Sequence, residues 1–238
     1  MIKTPPSGSP AVRKMFSSIA GKYDFLNRLF SLGTDIRWRR ELASEIPESG
    51  SLPVLDVATG TADVSLAMEE MHPGGGLIIG TDFSLPMLQV GANKIADKKG
   101  RRIRLTAGDA YALPFRSDTF GAVTIAFGLR NLVHRIDGMK EMIRVLAPGG
   151  RMVILEFSPI DRPLAGPFFR LYFHRIMPFL GGIISGNPAA YQYLPDSVDR
   201  FPDPVTLAGE MMEAGFTEVK YRPLTMGIAY LHTGIKAV

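Results

Sequence analysis

The chain has 238 residues, enough for one well-buried α/β domain, and its 46% hydrophobic and 21% charged content excludes a disordered or fibrous protein. Its 27 Lys and Arg against 23 Asp and Glu leave a net charge of only +4. The sequence has no basic stripe interleaved with aromatic residues, so it does not predict a nucleic-acid partner. The mild positive excess suits an anionic membrane surface better.

Cysteine is absent from the sequence, which excludes disulfides and thiolate chemistry. The sequence also shows no secretory signal, and both features favour a cytoplasmic location. The four histidines are scattered without ligand spacing, so we expect no metal site. No run reaches the roughly 18 to 20 uninterrupted apolar residues of a spanning helix. We expect contact with a membrane to be at most peripheral, at its inner face.

The first 50 residues divide into two parts by composition. Residues 1–10 are rich in Pro, Ser and Gly and predict a mobile tail in front of a single domain over 11–238. From residue 11 to about 46 the apolar residues recur at helical spacing, with Gly21 and Gly33 as expected breaks and Trp38 in a third helical piece. We interpret residues 11–50 as a helical lid.

From Pro53 onward short apolar runs alternate with amphipathic segments. The predicted strands are 54–58, 77–82, 103–107, 122–127 and 152–157, and the predicted helices are 63–71, 86–98 and 137–146. Parallel neighbouring strands require crossover connections, which these helices supply. The pattern therefore predicts a doubly wound α/β fold with a mostly parallel sheet.

The alternation is interrupted before the last elements of the chain. Residues 159–195 contain many prolines and glycines between apolar residues and predict a helical insertion. A helix over 204–214, ended by Gly215, precedes two candidate strands at 216–223 and 227–237 that are expected to pair as a hairpin at one sheet edge.

Three polar features follow three successive predicted strands. The turn around Gly60 opens a helix and lets a ligand lie against bare backbone, although small residues also permit a tight connection. Asp82 ends the second strand, where a carboxylate can accept hydrogen bonds from ribose hydroxyls. Asp109, with the backbone N–H of Ala110, follows the third and can hold an adenine edge. Their shared location predicts a nucleoside site.

The small-residue turn departs from the dinucleotide pattern. Ala58 and Ala62 stand where the flanking glycines of G-x-G-x-x-G are expected, so close approach of a pyrophosphate is disfavoured. A ligand without phosphates fits these residues better.

Several segments together resemble one family. DVATGTAD at 56–63, GTDFS at 80–84, GDAYALPF at 108–115 and RVLAPGGR at 144–151 resemble the class I S-adenosylmethionine methyltransferases. YDFLN at 23–27 with Ser31 and Trp38, and RVLAPGG at 144–150 with Glu156 and Ser158, resemble the paired signatures of the ubiquinone/menaquinone biosynthesis C-methyltransferases. FGLRN at 127–131 and YQYL at 191–194 match as well, so the resemblance covers 16–236.

This resemblance implies a Rossmann-like fold and methylation of a ring carbon of a reduced prenylated quinone, most of all demethylmenaquinol to menaquinol. It implies S-adenosylmethionine as cofactor, bound by Thr61, Asp82, Asp109 and Ala110, with Gly60 giving close backbone approach. Among the departures, Asp35 stands where the family usually has His, so we assign that position no catalytic role.

The chemistry requires that a phenolic oxygen of the reduced ring be stabilised as negative charge develops. Arg130 and Asn131 are the candidates for that oxyanion and orienting role because they follow an apolar strand at the binding edge. The alternative is that Arg130 pairs with Asp24 or another carboxylate. Tyr23, Asp24 and His134 are rival bases that the sequence does not rank.

Residues 168–177 mix aromatic residues with arginine, a composition that suits either a cover over an apolar pocket or contact with lipid headgroups. Two other functions stay open: a methyltransferase for a different small molecule, and a non-catalytic nucleotide-binding regulator with a similar core. A naphthoquinol and a benzoquinol substrate are not distinguished, and a homodimer is left open.

Overall fold

A seven-stranded sheet organises the fold in the computed structural model, which describes residues 10–47, 52–159, 172, 175, 177 and 188–238. The strands are β1 (Val54–Val57), β2 (Ile78–Asp82), β3 (Ile103–Ala107), β4 (Phe120–Ala126), β5 (Leu146–Phe157), β6 (Phe216–Leu224) and β7 (Ala229–Lys236). Their order across the sheet is β3-β2-β1-β4-β5-β7-β6. The first five are parallel, and β7 runs antiparallel to both β5 and β6.

Helices cover both faces of this sheet, as the parallel strands require. They are α1 (Pro10–Ser31), α2 (Thr34–Ala43), α3 (Asp63–Met71), α4 (Leu85–Asp97), α5 (Arg135–Val145), α6 (Pro188–Asp199) and α7 (Pro204–Ala214). One core cluster joins the sheet to α5 and α7, and the other joins it to α2, α3 and α4. The doubly wound, mostly parallel architecture is confirmed.

The lid differs from its prediction in one respect. The expected break at Gly21 is wrong, because α1 continues through this residue and keeps one apolar stripe buried with Val12, Ile19 and Leu26. A helix-interior glycine costs only about 1 kcal/mol, which this burial offsets. Gly33, with a φ of 78°, does separate α1 from α2. Trp38 therefore lies in the second helix of the lid.

The predicted strand over 152–157 is longer in the structure, since β5 already begins at Leu146. Its pairing with β4 shifts in register between Phe120 and Ala122, and Gly149 takes a φ of 73° there. The Pro-Gly-Gly segment is thus an irregular start of the strand rather than a separate loop.

The predicted hairpin at the sheet edge is confirmed by the pairing of β6 with β7. Residues 1–9 of the predicted tail lie outside the described residues, as does most of the predicted insertion. Within the described part of the chain, no helix is both long enough and apolar enough to cross a bilayer.

Candidate active site

A tight turn follows β1, and a buried carboxylate beneath it holds its shape. Asp56 accepts hydrogen bonds from Thr59 (2.6 Å), Ser65 (2.8 Å) and Thr124 (2.9 Å). Burial raises the pKa of the Asp56 carboxyl, although these three hydroxyl groups oppose the rise. The polar residues of this segment therefore fix the turn from below and leave its backbone to form the outer surface.

The outer surface of the turn meets the end of β2 at a carboxylate. The Gly60 N–H donates to Asp82 Oδ2 (2.9 Å), and the Ser84 N–H donates to Asp82 Oδ1 (2.8 Å). Gly60 has a φ of 57°, and a Cβ placed on it would meet only the Met87 side chain within 4 Å, at 3.9 Å. Only glycine adopts this conformation readily, and it leaves open space for a ligand beside the backbone.

A cleft of about 70 Å³ lies at the carboxyl ends of β1 to β3, where open α/β sheets bind ligands. Asp82, Asp109 and Ala110 line it together, and Val12 of α1 forms part of its wall. The structure thus brings three of the five predicted cofactor residues to one site, with Gly60 held against it through Asp82.

The polar groups of this cleft fit a nucleoside. Two carboxylates, Asp82 and Asp109, would repel a phosphate but accept hydrogen bonds from hydroxyl and amino groups. The Thr81 hydroxyl, which lines the same cleft, is buried with no hydrogen-bond partner among the described residues. Buried polar groups usually have partners, so this hydroxyl is an unsatisfied polar group next to the cleft.

Thr61, the remaining predicted cofactor residue, makes different contacts. Its hydroxyl donates to Asp24 Oδ1 of α1 (2.5 Å) and lies 3.3 Å from Lys94 Nζ of α4. Lys94 also pairs with Asp24 (2.6 Å) and with Asp63. This cluster ties the lid helix to the turn after β1, and the Thr61 side chain supports the lid rather than the wall of the cleft.

A second cavity, of about 430 Å³, lies beneath the lid. Its wall is mostly apolar and aromatic, with contributions from α1, α2, the end of β4 and the end of β5. The aromatic residues around it are Phe16, Tyr23, Phe30, Trp38, Phe127, Phe157, Tyr172 and Tyr193. Both its volume and its composition are typical of a site for a sizeable apolar small molecule.

Arg130 lies in the wall of this larger cavity and is almost fully buried. It has a packing role, because its Nη1 pairs with Glu156 Oε1 at 2.7 Å. The backbone N–H of Arg130 donates to the same carboxylate (3.2 Å), and the guanidinium lies 5.6 Å from the centre of the Phe157 ring. The alternative that Arg130 pairs with a carboxylate is therefore confirmed, with Glu156 as the partner and not Asp24, which pairs with Lys94.

One donor of Arg130 has no role in this packing. Its Nε is buried and has no hydrogen-bond partner in the described part of the chain. A buried donor without a partner costs free energy, on the order of 1 to 3 kcal/mol. Because solvent does not reach this atom through the cavity, Nε does not open onto the cavity wall, and other atoms of Arg130 line the cavity.

The two cavities meet at the short 3-10 turn after β4. Arg130 lines the larger cavity, whereas its neighbour Asn131 lines the cleft at the strand ends. Tyr193 of α6 also lines the larger cavity, and its hydroxyl donates to Asn131 Oδ1 (2.8 Å). A molecule in the larger cavity would therefore be close to Arg130, and a molecule in the cleft would be close to Asn131, its neighbour in the chain.

The three rival bases are distinguished by their positions. Tyr23 lines the larger cavity, whereas Asp24 belongs to the lid cluster and His134 lies exposed at the start of α5. Burial raises the pKa of the Tyr23 hydroxyl, while Arg130 and a hydrogen bond from its neighbour Asn27 oppose the rise. At neutral pH Tyr23 is thus a hydrogen-bond donor.

Asp35, the departure from the family pattern, also lines the larger cavity. Its carboxylate accepts a hydrogen bond from Ser31 (2.7 Å) and pairs with Arg39. Since both oxygens have cationic or hydroxyl partners, Asp35 serves as a structural ion pair in the lid.

Two residues of this site had no role assigned from the sequence. Glu156 orients Arg130, and Tyr193 orients Asn131. Both lie within the signature segments, and Glu156 is a carboxylate inside the otherwise apolar run 152–157 of β5, which was the available signal. Their partners are distant in sequence, so only the fold identifies the pairs.

Comparison with known proteins places these features in a family. A family model described as the ubiE/COQ5 methyltransferase family matches residues 6–236. A demethylmenaquinone methyltransferase of Thermus thermophilus is 49% identical over 92% of this chain and 99% of its own length. A ubiquinone/menaquinone biosynthesis C-methyltransferase UbiE of Geobacter sulfurreducens is 46% identical over 95% of this chain and 89% of its own.

The fold is shared with solved structures at low sequence identity. A SAM-dependent methyltransferase of Thermotoga maritima, a possible histamine N-methyltransferase, superposes with a TM-score of 0.67 at 14% identity, covering 94% of this chain and 99% of that one. At that identity the likeness concerns the fold alone.

Proposed function

Because the chain belongs to the ubiE/COQ5 methyltransferase family, we propose that it methylates a ring carbon of a reduced prenylated quinone, with demethylmenaquinol as the foremost substrate. The observation that carries the proposal is the pair Arg130 and Asn131, one residue lining each cavity. A methyl donor in the cleft and a ring in the larger cavity would meet at this turn.

In this proposal the cleft holds S-adenosylmethionine. Asp82 accepts hydrogen bonds from the ribose hydroxyls, and Asp109 with the Ala110 N–H holds the adenine. Gly60 gives the close backbone approach that its open Cβ position permits. Thr61 contributes through the lid cluster, since its hydroxyl is bonded to Asp24.

The protein's own contribution to the chemistry is placement and charge stabilisation. Bound S-adenosylmethionine supplies an electrophilic methyl group, and a reduced ring supplies an electron-rich carbon. Arg130, fixed by Glu156, places the positive charge of its guanidinium in the wall of the cavity, where it stabilises a phenolic oxygen as negative charge develops on it. Asn131, held by Tyr193, orients the reacting pair.

Tyr23 completes the polar part of the larger cavity. Its hydroxyl remains protonated at neutral pH because burial raises its pKa, so it donates a hydrogen bond to a ring oxygen rather than removing a proton. Among the three rival bases this assigns Tyr23 to charge stabilisation, and it leaves the phenolic proton to solvent entering at the lid.

A prenylated substrate places the enzyme at a membrane surface. The isoprenoid tail is insoluble in water, so the ring must be taken from a bilayer, and we assign the enzyme to the cytoplasmic face as a peripheral protein. The apolar wall of the 430 Å³ cavity is consistent with this source of substrate.

Two measurements test the proposal. In a strain that lacks quinone methylation, the gene should restore methylated menaquinone, or methylated ubiquinone if the ring is a benzoquinol, as detected by mass spectrometry of extracted quinones. By calorimetry the purified protein should bind S-adenosylmethionine and its demethylated product. Binding of NAD in preference to both, with no change in the quinones, would instead identify a nucleotide-binding regulator.

A further inference from the structure

The outer face of the lid and the turn after β6 expose large apolar side chains. Phe25 (61% exposed) and Leu29 (40%) lie on α1, and Leu32 (87%) follows it. Ile36 of α2 is 41% exposed, and Met226, between β6 and β7, is 72% exposed. We refer to these five residues as the apolar rim.

Two strained turns present the tips of this rim. Leu32 has a φ of 51° and Met226 a φ of 55°, conformations that bulky residues rarely adopt. Each turn also contributes to the cavity wall, through Leu32 itself and through Thr225. Trp38 Nε1 donates to Thr225 Oγ1 (2.8 Å) and so joins α2 to the second of these turns. A strained backbone that exposes an apolar side chain does not stabilise the fold, so we interpret these two turns as functional features.

The charges around the rim are basic. Lys22 and Arg28 are exposed on the same face of α1 as Phe25, and the Arg37 side chain of α2 is 79% exposed and lies 3.7 Å from Glu41. The only acidic residue of α1 is Asp24, which is paired with Lys94 away from this face. An apolar stripe flanked by lysine and arginine complements a surface with apolar chains beneath anionic headgroups.

We propose that the apolar rim docks on an anionic lipid bilayer, with Leu32 and Met226 inserted and the cavity open toward the acyl chains. This inference rests on the proposed function, because it supplies the route by which a prenylated ring enters the cavity without crossing water. The same face would thus determine both where the protein binds and how its substrate arrives.

The first test is sedimentation of the purified protein with vesicles of phosphatidylcholine containing phosphatidylglycerol. The wild type should bind, and the double variant Phe25→Gln with Met226→Asn should bind at least about tenfold more weakly, since two apolar side chains leave the lipid. Asn tolerates the left-handed conformation at 226, so the turn is kept. The matched control Val205→Gln with Met212→Gln removes two exposed apolar side chains of α7 and should bind as the wild type does.

The second test concerns charge. Lys22→Gln with Arg28→Gln should weaken binding to anionic vesicles by about tenfold or more, at roughly 1 kcal/mol for each basic residue near the surface. Lys98→Gln with Lys140→Gln, two exposed lysines elsewhere, should have little effect. Equal losses in both pairs would mean that only net charge matters and would overturn the proposed orientation.

The test is separable from the proposed function. Methyl transfer to a short-tailed, water-soluble demethylmenaquinol without vesicles should be unchanged in Phe25→Gln with Met226→Asn, because neither residue lines a cavity. Unchanged vesicle binding in that variant would overturn the docking inference and leave the proposed function intact. A wild-type protein that sediments as a dimer and a variant that sediments as a monomer would also overturn it. That result would identify the apolar rim as a contact between two copies of the chain.

Discussion

Replacing Arg130 with lysine tests the donor on which the proposed chemistry depends. Lysine keeps a positive charge near Glu156 but lacks the planar guanidinium that lies in the cavity wall. Arg130→Ala is a poorer choice, because Glu156 is 1% exposed and would be left as a buried charge without its cation. Loss of one partner of a buried pair costs about 3 to 5 kcal/mol of folding stability, which would confuse the result.

The expected effect of Arg130→Lys falls on turnover. Removing one hydrogen-bond donor that stabilises developing oxyanion charge lowers kcat by about 10² to 10³, or roughly 2.7 to 4 kcal/mol. The affinity for S-adenosylhomocysteine should stay the same, since Arg130 does not line the cleft at the strand ends. Transfer of a labelled methyl group to a reduced quinone gives kcat, and calorimetry gives the affinity.

A matched control is Arg135→Lys. Arg135 pairs with Glu210 through Nε (2.8 Å) and lines neither of the two cavities described above, so its loss should change stability slightly and turnover not at all. A folded Arg130→Lys protein with wild-type kcat would refute the role assigned to the guanidinium. Equal losses of kcat in both variants would show that the effect is not local to the cavity.

Three further predictions follow from the same geometry. Asp82→Ala should weaken binding of S-adenosylhomocysteine by about 1.5 to 3 kcal/mol in calorimetry, the range for a hydrogen bond to a charged group, and an unchanged affinity would contradict the ribose contact. Gly128→Ala should lower turnover and should lower folding stability by about 1 to 3 kcal/mol, because the new Cβ would lie 2.7 Å from Ala58 Cβ. Wild-type turnover and wild-type urea unfolding in this variant would contradict the tight packing. Burial lowers the pKa of His232 from 6.5, so the neutral ring stabilises the fold above that pH, and this contribution is lost as pH falls through the lowered pKa. The urea midpoint should therefore fall less below pH 6.5 in His232→Gln than in the wild type. Parallel curves of midpoint against pH would show that His232 does not cause the acid destabilisation.

The sequence predicted the sheet well because strand and helix periodicities are local properties. The helices over 63–71 and 204–214 and the strand over 103–107 coincide with the observed elements, and each is bounded by a clear change of pattern. The shared position of Asp82 and Asp109 followed from topology alone, since the ends of parallel strands lie at one edge.

What the sequence did not predict are contacts between distant residues. Arg130 meets Glu156 only because β4 and β5 are paired, and Thr61 meets Asp24 only because the lid packs on the turn after β1. No local pattern contains either pairing. The continuity of α1 through Gly21 likewise depends on burial of its apolar stripe against the rest of the protein, which outweighs the local preference of glycine.

Methyl transfer from labelled S-adenosylmethionine to demethylmenaquinone in lipid vesicles, with and without a reductant, tests the central claim most directly. The account predicts label on a ring carbon and transfer only in the presence of the reductant, because a quinone carbon is electron-poor and a hydroquinone carbon is electron-rich. Equal transfer to oxidised substrate would contradict the stabilised phenolate. Label on a phenolic oxygen would contradict the assignment as a C-methyltransferase.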